Sequence, residues 1–181
     1  MSGDDSLRVL ARHLEVPERT LRRAAAQGLV RGQRLSERRF KTTLREEAYL
    51  RRHWPLLSGL RGALRTEPNV RLAVLFGSSA TGADAEGSDV DLLVALRDSA
   101  PGVVAALAGR LADRLGRDVQ LVRLQEAEQS PALMLDALAD GRVLVDREGL
   151  WSRLKARERR WRRQAAAEDA PLEDSMPDLG L

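Results

Sequence analysis

The sequence has 181 residues, with 30 Lys/Arg against 27 Asp/Glu and a net charge of +3. That length allows one ordinary domain and a small accessory one. The absence of cysteine excludes disulfides and thiolate metal sites. No apolar run approaches the ~20 residues of a membrane span, and MSGDDSLRVL lacks the basic start and apolar stretch of a secretory signal. A soluble, cytoplasmic protein with no membrane partner is expected. The charge is divided: residues 1–55 carry 13 basic and 7 acidic side chains, residues 70–146 carry 7 and 12. A basic front and an acidic middle suit different partners.

Residues 5–30 hold two short helical patterns. Leu7, Leu10, Ala11 and Leu14 form one apolar stripe, and Leu21, Ala24 and Ala25 a second. Val16-Pro17 separates them, with Pro17 able to enter the next helix, and Gly28 can stop it. Two helices joined by a tight turn look like a helix-turn-helix, whose second helix would present Glu18, Arg19, Thr20, Arg22 and Arg23 to a DNA major groove. One departure stands out: Glu15 occupies the turn position that such motifs commonly give to glycine. A small helical packing module with solvated arginines is the plainer alternative.

Residues 29–43 contain Gly32 and a basic cluster of Arg31, Arg34, Arg38, Arg39 and Lys41. A wing or hairpin there would place these on phosphates, although a charge run is often only a solvated face. Leu44 to Leu64 then reads as a connecting helix, interrupted at Pro55. Tyr49 and Trp54 read as packing residues. His13 and His53 have no metal-ligand spacing and read as surface or packing residues.

Glu67-Pro68-Asn69 predicts a turn, followed by a strand from Val70 to Phe76 that stops at Gly77-Ser78. After ten intervening residues stand Asp89 and Asp91, and then the apolar run Leu92 to Leu96. On a strand Asp89 and Asp91 project together while Val90 and Leu92 point the other way. Adjacent carboxylates repel unless a cation separates them, and Mg2+ commonly takes one or two carboxylates with substrate phosphates. Gly77 lets the backbone approach a ligand, and a helical turn over Ser79 to Gly82 would offer free N–H groups to a phosphate. Two strands joined by a polar loop with surface aspartates are the alternative.

A helix over Pro101 to Leu115 ended by Gly116, a strand Val119 to Leu124, a helix begun by Ser130-Pro131 and stopped by Gly141, and a short apolar run Val143 to Val145 follow. A final amphipathic helix is predicted from Glu148 to about Ala167, marked by Trp151, Leu154 and Trp161. The acidic, proline-bearing tail is expected to be disordered. Alternating strands and helices indicate an α/β (α+β) class. The divisions are 1–43 (helix-turn-helix), 44–66 (connecting helix), 67–167 (α/β domain) and 168–181 (tail).

Gly-Ser, ten residues and Asp-x-Asp resemble the signature of the DNA polymerase β-type nucleotidyltransferase superfamily, over about residues 70–165, and the resemblance implies a small mixed sheet flanked by helices. Size and context resemble the minimal nucleotidyltransferases, many of which are antitoxins in toxin–antitoxin pairs. Fusion to a basic helix-turn-helix resembles bacterial regulator-like members. The resemblance implies that Gly77, Ser78 and Ser79 hold a nucleoside triphosphate such as ATP, and that Asp89 and Asp91 are catalytic and hold Mg2+, two ions if active.

Active members usually add a third carboxylate from the next strand. Here that position is Gln120, which cannot act as a base, with Asp118 as a displaced substitute. Ser79 and Thr81 also stand where bulkier or basic residues are frequent. The expected function is a DNA-binding, antitoxin-like nucleotidyltransferase that moves a nucleoside monophosphate to a hydroxyl of a toxin protein or RNA. The alternative is a transcriptional regulator whose degenerate transferase domain only binds nucleotide or a partner. DNA contacts are expected from Arg19, Thr20, Arg22, Arg23, Arg31 and Arg34, and homodimerisation is open.

Overall fold

The computed structural model describes residues 6–36, 39–85 and 87–168. The chain begins with α1 (Ser6–His13) and α2 (Glu18–Ala26), whose stripes bury Leu7, Leu10, Ala11, Leu21 and Ala24. Between the helices Glu15 adopts φ 55, and the Val16 amide closes back on the Ala11 carbonyl at 3.0 Å. A side-chain-bearing residue thus makes the left-handed turn that glycine would make without strain, at a cost of about 1 kcal/mol. β1 (Gln33–Arg34) and β2 (Phe40–Lys41) form an antiparallel hairpin. Arg38 of the basic cluster lies outside the described residues, as does the tail beyond Glu168.

α3 (Leu44–Arg65) begins at Thr43, whose hydroxyl accepts from the Glu46 amide at 3.2 Å. It runs unbroken through Pro55, correcting the interruption read from the sequence. Pro55 is exposed, so the carbonyl it leaves without a helical donor faces solvent. Leu50, Trp54, Leu57 and Leu60 are buried on either side and hold the helix to the core.

β3 (Val70–Phe76), α4 (Gly77–Thr81), β4 (Val90–Leu96), α5 (Pro101–Leu115), β5 (Val119–Arg123), α6 (Leu124–Ala127), α7 (Pro131–Asp140) and β6 (Arg142–Asp146) follow. The sheet order is β5-β4-β3-β6, with β4 and β5 parallel and the other neighbours antiparallel. Both faces are covered. Ala73, Leu75, Leu92 and Val94 pack towards α3 and α5, whereas Leu72, Val74, Leu93 and Ala95 pack towards α7 and the C-terminal helices.

The C-terminal segment is two helices, α8 (Leu150–Ala156) and α9 (Glu158–Glu168), rather than the one predicted. At Arg157 the amide bonds Leu154 O at 2.9 Å, a tighter three-residue closure that turns the chain. The turn seats Trp161 in the same core cluster as Trp151 and Leu154, with α9 packed on α7.

Candidate functional site

β3 ends at Phe76, and the backbone turns at once into α4. Gly77 makes this turn with φ 71, and a Cβ built there would stand 2.8 Å from Asp91 Oδ2. Conformation and space both require glycine, because the Asp91 carboxylate lies directly over the turn. Phe76 and Asp91 are register partners across β3 and β4, which fixes this approach.

Asp89 immediately precedes β4, while Val90 and Leu92 on the opposite face are fully buried. The Asp91 carboxyl is raised above the usual carboxylate range, first by burial and then by the charge of Asp89. In the next strand Gln120 is the register partner of Asp91, and its Nε2 donates to Asp89 Oδ2 at 2.6 Å. The third-carboxylate position therefore meets the pair with an amide. Asp118 is exposed at the start of β5, where its carbonyl accepts from the Val90 amide at 2.9 Å. Two like charges, both half-buried, fit a divalent cation completed by phosphate oxygens. Among the described residues no group of three or more His, Cys, Asp or Glu side chains is arranged to hold a metal.

A second layer of residues positions α4. Ser79 is fully buried: its Oγ donates to the Asp89 carbonyl at 3.4 Å and receives Arg117 Nη2 at 3.3 Å. Its side chain therefore belongs to the fold. The Tyr49 hydroxyl donates to the Ser79 carbonyl at 2.9 Å, and burial pushes this phenol up to about 12, so it remains a donor. Arg142 donates to the Ala80 carbonyl at 2.8 Å and forks onto Glu46 at 2.6 and 2.8 Å. Its guanidinium lies 3.6 Å from the Tyr49 ring centroid, and that ring stacks on His53 at 4.4 Å.

The loop between Gly-Ser and Asp-x-Asp is also pinned. His53 Nε2 meets Asp84 Oδ1 at 2.8 Å, and both side chains are 6% exposed. Burial raises the Asp84 carboxyl, but the His53 hydrogen bond and charge, with Arg117, outweigh it and hold it below the usual range. Arg117 Nη2 also reaches the Ser88 carbonyl at 2.5 Å. Sequence reasoning missed Glu46, Arg117 and Arg142, gave Tyr49 only a packing role and read His53 as a surface or packing residue. One signal was present: Glu46, Tyr49 and His53 fall at helical spacing, a polar stripe on an otherwise apolar face.

The residues expected to face DNA differ in exposure and in partners. Arg19 and Arg23 are exposed on α2, whereas Arg22 pairs with Glu18 at 2.6 Å. Thr20 is half-buried and Arg34 exposed on β1. Arg31 is tied to Asp140, through both its carboxylate and its carbonyl.

A four-stranded mixed sheet carrying a Gly-Ser turn beneath an Asp-x-Asp pair defines a nucleotidyltransferase-type domain. The sequence profile of the family described as Polymerase beta, Nucleotidyltransferase matches residues 59–149, and the chain belongs to that family. No curated protein matches the chain. Among solved structures, it is similar to a toxin–antitoxin crystal structure with AMP-PNP, at 27% identity and TM-score 0.52, covering 62% of this chain and 90% of that one. A mutant of the MntA–HpeT toxin–antitoxin matches at 25% identity and TM-score 0.52, with coverage of 62% and 90%. A complex of a tri-AMPylated Shewanella oneidensis HEPN toxin with its MNT antitoxin, at 24% identity, TM-score 0.50 and coverage of 64% and 91%, shares the fold.

Proposed function

We propose that the chain transfers a nucleoside monophosphate from a nucleoside triphosphate to a hydroxyl of a partner macromolecule, as the antitoxin of a toxin–antitoxin pair. We propose further that α1, α2 and the β1–β2 hairpin bind DNA. The observation that carries the transferase reading is the Asp91 carboxylate standing over Gly77, where a Cβ would come within 2.8 Å of Oδ2. The phosphate-binding turn and the charged pair then act on one ligand. The likeness at 27% identity to a toxin–antitoxin structure with AMP-PNP supports both the triphosphate and the toxin partner.

In this reading the free amides at the start of α4 receive the phosphates. Asp89 and Asp91 would hold Mg2+, which neutralises phosphate charge and stabilises the departing pyrophosphate. The acceptor oxygen forms the new bond to the α-phosphorus as the bond to pyrophosphate breaks, and the hydroxyl proton leaves to solvent. Gln120 holds Asp89 by its amide but cannot take that proton.

That substitution favours the second reading, a regulator that binds nucleotide without turnover. Calorimetric titration of ATP with Mg2+ into wild type and the Asp89→Ala/Asp91→Ala variant tests the site. Binding by wild type alone is expected; equal behaviour of the two proteins would overturn it. Turnover with the cognate partner separates the readings: Gln120→Asp should leave a working enzyme nearly unchanged, whereas activity appearing only in that variant identifies the regulator.

A further inference from the structure

Where the C-terminal halves of α2 and α3 meet the free edge of β6, a cleft of about 240 Å3 opens, lined by Gln27, Arg61, Arg65, Asp146, Arg147 and the β6 strand. Arg61 is only 8% exposed, yet the sole side-chain partner it has among the described residues is the neutral Gln27, whose Oε1 accepts from Nη2. A guanidinium held out of water without a counter-charge is costly. Burial, then Arg65 and Arg23, depress its affinity for the proton. Nothing in the cleft offsets it. The Asp146 carboxylate is engaged by the amides of Glu148, Leu150 and Trp151, at 3.3, 2.9 and 3.1 Å, where it caps α8. Arg147 Nη2 donates to carbonyls at the end of α3, including Arg65 O at 3.0 Å. Among the described residues Arg19, Arg23 and Arg65 form no ion pair.

We propose that this cleft binds a backbone phosphate of duplex DNA, with Arg61 and Arg65 as its ligands. The proposal rests on the reading that α2 contacts DNA. Two features favour a nucleic-acid strand over a single small anion. Arg19 and Arg23 are one helical turn apart on α2, and Arg61 and Arg65 one turn apart on α3. The Arg61–Gln27 bond joins the two helices, so the cations form a row longer than one phosphate. The cleft adds a positioning contact that carries no sequence information, beside an α2 whose N-terminal turns would reach base edges.

Fluorescence anisotropy of a labelled duplex, titrated with the full chain across a KCl series, tests this. Wild type should bind with a steep salt dependence. Arg65→Gln, at an exposed position that leaves the fold intact, should weaken binding several-fold and lower the slope of log affinity against log salt by about 0.9, the value for one lost phosphate contact. Arg61→Gln should do the same, with circular dichroism checking its fold. Arg19→Gln reports on α2 itself. Loss of affinity in Arg19→Gln with an unchanged slope in Arg65→Gln would overturn the cleft and leave DNA binding by α2 standing. No duplex binding by wild type would overturn both.

Discussion

Asp91 shows at the scale of one residue how the proposed function and stability oppose each other. Its carboxyl is half-buried beside Asp89 and is raised above its ordinary range by burial first and by that neighbour second. A raised carboxyl binds its proton more tightly folded than unfolded. It therefore adds stability below the unfolded value, and this contribution is lost as pH rises through the folded one. The repulsion between Asp91 and Asp89 works against the ionised form of Asp91. Asp91→Asn removes that repulsion at nearly constant shape. Differential scanning fluorimetry at pH 7 is expected to show a variant as stable as wild type or more so, by roughly 0.5 kcal/mol after solvent screening, while Mg2+-dependent nucleotide binding is lost. A clear loss of stability would mean that Asp91 holds the fold rather than a ligand.

At the scale of elements, the short helix α4 is held from outside itself. Its carbonyls at Ser79 and Ala80 are taken by Tyr49 and Arg142, and the loop after it by His53 and Arg117 through Asp84. Asp84 supplies the carboxylate on the loop side of this clamp. Its folded carboxyl lies below the unfolded value, so its contribution is present above the unfolded value, near pH 4, and is lost as pH falls through the folded one. Asp84→Asn should lose about 2 kcal/mol or more at pH 7. The gap to wild type should narrow as pH falls below the unfolded value, near pH 4. Thermal melts across pH check this, and a gap independent of pH would remove the charge from the explanation. Much of this element was legible in the sequence. The Gly77-Ser78 stop, the strands from Val70 and Val90 and the helix after Pro101 follow from apolar period and punctuation. The clamp was not, because His53 with Asp84 and Glu46 with Arg142 meet only through tertiary packing across 31 and 96 residues. Pro55 misled for the same reason: burial on both sides overrode a local breaker.

At the scale of the whole molecule, the sequence places a domain boundary at residue 43, but the buried residues do not divide there. One core cluster contains Leu7, Leu10 and Leu21 of the N-terminal helices, Leu50 and Leu57 of α3, and Leu75, Leu92 and Leu144 of the sheet. Polar contacts follow the same route: Arg142 donates to the Leu29 carbonyl at 3.1 Å, the Val143 amide to Gly28 O at 3.2 Å, and the Arg31 amide to Glu46 at 2.9 Å. α3 therefore serves both halves, holding α4 near its start and the α2 side near its end. Glu46 makes the dependence specific, since its carboxylate satisfies Arg142 beneath the Gly-Ser turn and a backbone amide of the basic half together. Unfolding is expected to be one transition, with calorimetric and van't Hoff enthalpies equal. Removal of residues 1–43 should expose Leu50, Leu57 and Leu60 and prevent residues 44–181 from folding alone, because each buried leucine contributes about 2 kcal/mol of transfer free energy. Calorimetry of the full chain and circular dichroism of the shortened one decide it. Two resolved transitions, or a truncated chain that melts cooperatively and still binds nucleotide, would show two independent domains and leave α3 a connector.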